Sequence, residues 1–139
     1  MLTERIPQVR SLALTWLLPA GVVHEPAQQL GVATVLAEMV CRGAGGLDAR
    51  AHSHALEMLG VERDTQVMTR HMRLSAAMIG EKAEQALPLL MDMVLAPMLD
   101  EASLAPSVDL ALQSLDALQD EPTGPGVCGT SQNVIIRYP

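Results

Sequence analysis

His24, His52, His54, His71 and Cys41 are the side chains best suited to hold a metal ion, and their spacing does not gather them. His52 and His54 stand two apart on a predicted helix, so they point to different faces. All four histidines read as solvated surface residues. Cys41 has helical neighbours Ala37 and Glu38 and no second cysteine near it, which reads as a buried, unreactive thiol. Glu57 and Glu62 read as ordinary surface carboxylates. The glycines between Gly124 and Gly129 lack the strand–glycine–helix setting and the lysine that a phosphate loop requires.

The elements that would position these groups follow from periodicity. From Val9 to Leu18 the chain alternates, with Arg10, Leu12, Leu14 and Trp16 on one face, as a strand covered on at least one side does. Pro19, Gly21 and Pro26 mark a loop. Apolar residues recur at helical spacing from about Gln28 to Arg42, and Gly43, Gly45 and Gly46 stop that helix. Asp48 is placed to cap a second helix through Leu59, which Gly60 ends. Strands follow at Val61–Thr69 and His71–Ile79, the second with Met72, Leu74, Ala76 and Met78 on one face. Ala83 to Leu95 carries an amphipathic stripe. Pro88 must sit in its first turn or bend it, and Pro97 closes it. The stretch Met78, Met91, Met93 and Met98 reads as core filler or a helix-packing surface. A last helix runs from Glu101 or Ser107 to Gln119. After Pro122 the glycines and prolines of residues 123–139 predict a flexible tail, ending in the β-like run Val134–Ile136. The order β-α-α-β-β-α-α, with a hairpin in the middle, predicts an α+β fold: an antiparallel-containing sheet with helices packed on one face.

Composition bounds the function. The chain has 139 residues, enough for one domain with its own core. It is 49% hydrophobic and 18% charged, which argues for a globular protein. With no Phe, one Trp and one Tyr, that core must be filled by Leu, Ala, Val and nine Met. A net charge of −7 and the lack of aromatic platforms argue against nucleic-acid binding. No apolar run is long enough to span a bilayer and no signal peptide is visible, so no membrane is expected and a cytoplasmic, reducing setting is the default.

Several local words, in order, resemble the start of an insulinase/pitrilysin-type zinc-peptidase domain. In that family a strand and a loop with Gly and an acidic residue lead to a helix opening Gly-Leu-Ala-His-x-x-Glu-His-Met and closing on Gly-Thr. Here Gly31-Val32-Ala33-Thr34-Val35-Leu36-Ala37-Glu38-Met39 takes that place, and Arg42-Gly43-Ala44 resembles the exit. Leu56-Glu57-Met58-Leu59-Gly60 resembles the word before the family's hairpin. The run Ala86 to Pro97 resembles the helix before its Pro-x-Phe turn. Asp120-Glu121-Pro122 resembles the acidic pair and proline after its last ligand helix. The resemblance covers roughly residues 9 to 122 and implies a fold similar to the half-domain of mitochondrial processing peptidase-like proteins. Residues 1–122 would then be a partial peptidase-like half-domain.

In the family, His-x-x-Glu-His places two imidazoles one helical turn apart on one zinc ion. The intervening glutamate takes a proton from the metal-bound water, and a glutamate on a later helix is the third ligand. Carried onto this chain, the first His position is Thr34, the base position Ala37 and the second His position Glu38. Counting forward from Glu38 and back from Asp120-Glu121-Pro122 puts the third ligand at Ser114. None of the four keeps the family residue. The resemblance therefore implies a non-catalytic homologue or truncated fragment that binds no cofactor. It would act as a partner or substrate-holding subunit, in a homodimer or in a heterodimer with an active peptidase subunit, with a peptide as substrate. The alternative is a zinc metalloendopeptidase with atypical ligands, for example Glu38 with a distant histidine.

Overall fold

The computed structural model describes residues 3–120. Within them a three-stranded antiparallel sheet has the order β1-β5-β4, where β1 is Ser11–Leu18, β4 is Glu62–Val67 and β5 is Met72–Ile79. The helices are α1 (Val32–Met39), α2 (Ala49–Met58), α3 (Ala83–Leu95) and α4 (Leu104–Asp120). A small second sheet, β2 (Gly43–Ala44) with β3 (Leu47–Asp48), sits between α1 and α2. The α+β order expected from periodicity is found, with this extra hairpin.

Register explains the core. Directly opposed residues share a sheet face, so the rows Leu18–Met72–Val67, Trp16–Leu74–Thr65 and Leu14–Ala76–Arg63 all look the same way. Met72, Leu74, Ala76 and Met78 are buried there. Leu56 of α2, Ala86, Leu90 and Met93 of α3, and Ala44 cover most of this face. Ala37 and Val40 close its other end against Met72. Met78 and Met93 fill the core as expected, whereas Met91 and Met98 are exposed, because the α3 stripe turns Leu90 and Met93 inward and Met91 outward.

Local chemistry sets the element ends. The Asp48 side chain accepts a hydrogen bond from the Ala51 N–H at 2.8 Å and caps α2. The first helix is shorter than its periodicity predicts, because turns occupy residues 26–31 and Gly31 stands at φ 90° just before Val32. The glycines after α1 do more than stop a helix. Gly45 and Gly46, at φ 60° and 81°, form the two-residue loop of the β2–β3 hairpin, where both central residues need positive φ. Pro88 lies within α3, beyond its first turn. Glu84 and Pro88 are both exposed, so the carbonyl deprived of the proline's N–H is on the wet side of the helix. The expected tail at 123–139, with its run Val134–Ile136, and Glu121-Pro122 lie outside the described residues. No helix among the described residues is long and apolar enough to cross a membrane.

Candidate functional site

The four positions that matter for metal chemistry lie on two helices that pack together, α1 and α4. The loop before α1 fixes its start. Glu25 reaches across that loop, and its two carboxylate oxygens accept from the Gly31 N–H at 3.0 Å and the Ala33 N–H at 2.9 Å. These are charge-assisted bonds at the positive end of a helix. Replacing Glu25 with Ala is therefore expected to cost about 2 kcal/mol of stability, and Glu25→Gln about half of that. Urea unfolding of the two variants checks it; equal, negligible losses would mean that the carboxylate does not hold α1.

From that start, helical spacing assigns the faces. Ala33 and Ala37 are one turn apart and both buried. Ala37, at the base position, packs in a cluster with Val40 and Met72. Thr34 and Glu38 are likewise one turn apart and half-buried. Thr34 lines an open groove with Leu30, Val32 and Val35 on one wall and Leu104, Val108 and Leu112 of α4 on the other. Ser114 is exposed, three residues past the buried Ala111, and its hydroxyl donates to the Leu110 carbonyl of its own helix at 2.9 Å. The structure thus brings together the helices that carry Thr34, Ala37, Glu38 and Ser114.

The remaining candidates are scattered. His24, His54 and His71 are exposed, as expected. His52 is not a surface residue: it is buried, and its Nε2 lies 3.1 Å from the Leu89 carbonyl of α3. The amphipathic register of α2 puts His52 on the same inward face as Leu56, one turn on. Cys41 is half-buried rather than buried, with Sγ 3.3 Å from the Thr65 hydroxyl. Glu57 and Glu62 are exposed. Among the described residues, no three His, Cys, Asp or Glu side chains stand close enough to share a metal ion.

One group was not singled out from the sequence. Arg63 sits on the inner sheet face and donates to the Cys41 carbonyl at 3.2 Å, the Ser53 hydroxyl at 3.1 Å and the Met93 sulfur at 3.3 Å. It ties the end of α1 to α2 and α3. The signal is an arginine in register with Thr65 and Val67, the other inward residues of its strand.

Comparison with known proteins gives consistent results. A sequence profile described as Insulinase (Peptidase family M16) matches residues 1–127. No curated protein gives a significant sequence match. Among solved structures, a peptidase M16 inactive domain from Pseudomonas fluorescens superposes with a TM-score of 0.73 at 23% identity, over 83% of this chain and 28% of that one. Pitrilysin gives 0.72 at 20% identity, over 82% of this chain and 12% of its own. A protease from Helicobacter pylori gives 0.69 at 14% identity, over 76% and 26%. The chain therefore spans less than a third of each of these structures.

Proposed function

We propose, from the premise that this chain belongs to the insulinase family of peptidases (Peptidase family M16), that it is a non-catalytic member acting as a partner or substrate-holding subunit. The observation that carries this reading is the donor set on α1 and α4. Zinc in such a site needs three nitrogen, sulfur or carboxylate donors and an open position. Thr34 and Ser114 offer neutral hydroxyls, and Ala37 offers a methyl group closed against Val40 and Met72. Only Glu38 carries a charge. These residues do not fit a zinc ion, and no group at position 37 can accept a proton from water.

Two further points support a role through surfaces. The fold occurs in a domain described as inactive, so it does not oblige an active site. Strands β1 and β4 both stand at the margins of the described sheet, and Leu12, Leu17 and Ile79 are exposed on or beside it. Unpaired edges and uncovered apolar side chains favour pairing with another chain. A copy of this chain or an active peptidase subunit would fill that place, with a peptide held between the two.

Elemental analysis tests the reading. Protein purified without added metal, then incubated with zinc and dialysed, is expected to retain far less than one zinc per chain and to cleave no unstructured peptide. Stoichiometric zinc that disappears in Glu38→Gln would overturn the proposal in favour of a metallopeptidase with atypical ligands.

A further inference from the structure

The groove between α1 and α4 combines a largely apolar lining with acidic side chains on its flanks. Leu30 is 78% exposed and Leu112 is 54% exposed, and Val32, Leu104 and Val108 are also open to solvent. The groove encloses about 490 Å³, the scale of a site that takes a few side chains.

The charges beside it are one-sided. Asp109 stands three residues before Leu112 and Asp116 four after it, so both flank Leu112 on the α4 surface, and both are exposed. On the other wall Glu38 lies within one turn of Thr34 and Val35. Glu25 is held at Gly31, at the mouth of the groove. No Lys or Arg occurs between residues 11 and 41 or between residues 83 and 120. Arg42 follows in the turn after α1, half-buried at the end away from Leu30, and the other described cations lie elsewhere in the chain.

We infer that this groove docks a basic amphipathic helix of another polypeptide, with the apolar face in the groove and Lys or Arg beside Glu38, Asp109 and Asp116. Two facing walls with spaced Leu and Val side chains accept anchors at i, i+3, i+4 and i+7 of a third helix. Complementary charge selects the basic sequence over a neutral or acidic one. A second copy of this chain does not satisfy the groove. Self-pairing across this face would set Glu38, Asp109 and Asp116 against the same three residues. The inference rests on the groove and not on the loss of metal-binding residues, so it stands or falls separately from the zinc measurement.

Fluorescence anisotropy with the whole chain tests it. The probe is a labelled helical Leu/Lys peptide with leucines on one face, and the comparison is a Leu/Glu peptide with the same leucines. The Leu/Lys peptide is expected to bind, and the Leu/Glu peptide at least about tenfold more weakly. Leu112→Ser, at an exposed position, should weaken binding about tenfold or more, as uncovering one large apolar contact does. Leu95→Ser, at an exposed position of α3 away from both the groove and the sheet margins, should leave it unchanged. The pair Asp109→Asn/Asp116→Asn should weaken binding about threefold to tenfold and lower its salt dependence. Glu57→Gln/Glu62→Gln, with the same change in net charge, should not. Far-UV circular dichroism confirms that each variant folds. The proposal is overturned by no binding, by equal binding of the Leu/Glu peptide, or by equal losses in the two charge pairs. It is also overturned by a homodimer that Leu112→Ser dissociates.

Discussion

Truncating Leu74 to alanine is expected to lower the unfolding free energy by about 3 kcal/mol, read as a fall in the urea midpoint at unchanged slope. Leu74 is fully buried on the central strand β5, between Trp16 of β1 and Thr65 of β4. It shares its cluster with Leu56, Leu90 and Met93 from two helices. Removing its branched end takes away apolar burial and leaves a void where sheet and helices meet. The loss should fall in the middle of the usual range for such truncations, because Met93 of the same cluster has an unbranched chain able to lean into the space. For a domain whose whole stability is about 5–15 kcal/mol, that is a large fraction. Leu17 on the neighbouring strand is the control. Its side chain points to the open face and is exposed, so Leu17→Ala should change stability by less than about 0.5 kcal/mol. Equal losses at the two positions would contradict the assignment of the inner sheet face.

The same strand shows which parts of this structure can be read from sequence. Alternation in residues 72–78 is a purely local pattern with one buried face, and it identifies the core residues of β5. Asp48 is legible for a similar reason, since a cap acts on the residues immediately after it. His52 is not legible. Its polarity argues for the surface, while its fate is set by α3, whose Leu89 carbonyl lies far along the chain. Arg63 fails in the same way, because its partners come from the turn after α1, from α2 and from α3. The candidate site divides along the same line. The order of words around Gly31 and Gly43 carries the family, which the match over residues 1–127 shows. Neither the capping of α1 by Glu25 nor the acidic, apolar groove beside Thr34 can be foreseen, because each depends on how a loop or a distant helix comes to lie against α1.

Gly43 is a position where one methyl group should do severe damage to that arrangement. It stands at φ 120°, a conformation that side chains rarely adopt. A Cβ there would lie 2.7 Å from the Leu47 carbonyl oxygen and 3.1 Å from the Ala49 nitrogen, both backbone atoms that cannot swing aside. The Gly43 carbonyl also accepts from the Met98 N–H at 2.9 Å, and Ala44 bridges Pro97, so the same short segment joins α1, the cap of α2 and the exit from α3. Gly43→Ala combines backbone strain of about 1–3 kcal/mol with overpacking of similar size, and a total loss of about 4 kcal/mol is expected. Gly46→Ala separates the two causes. Gly46 also has positive φ, at 81°, but a Cβ there would meet nothing within 4 Å, so only the strain of about 1–2 kcal/mol should appear. Thermal or urea unfolding of both variants decides the matter. A Gly43 variant no worse than the Gly46 one would mean that the backbone around α1 has room to yield, and that the α1–α4 groove is not held by this junction.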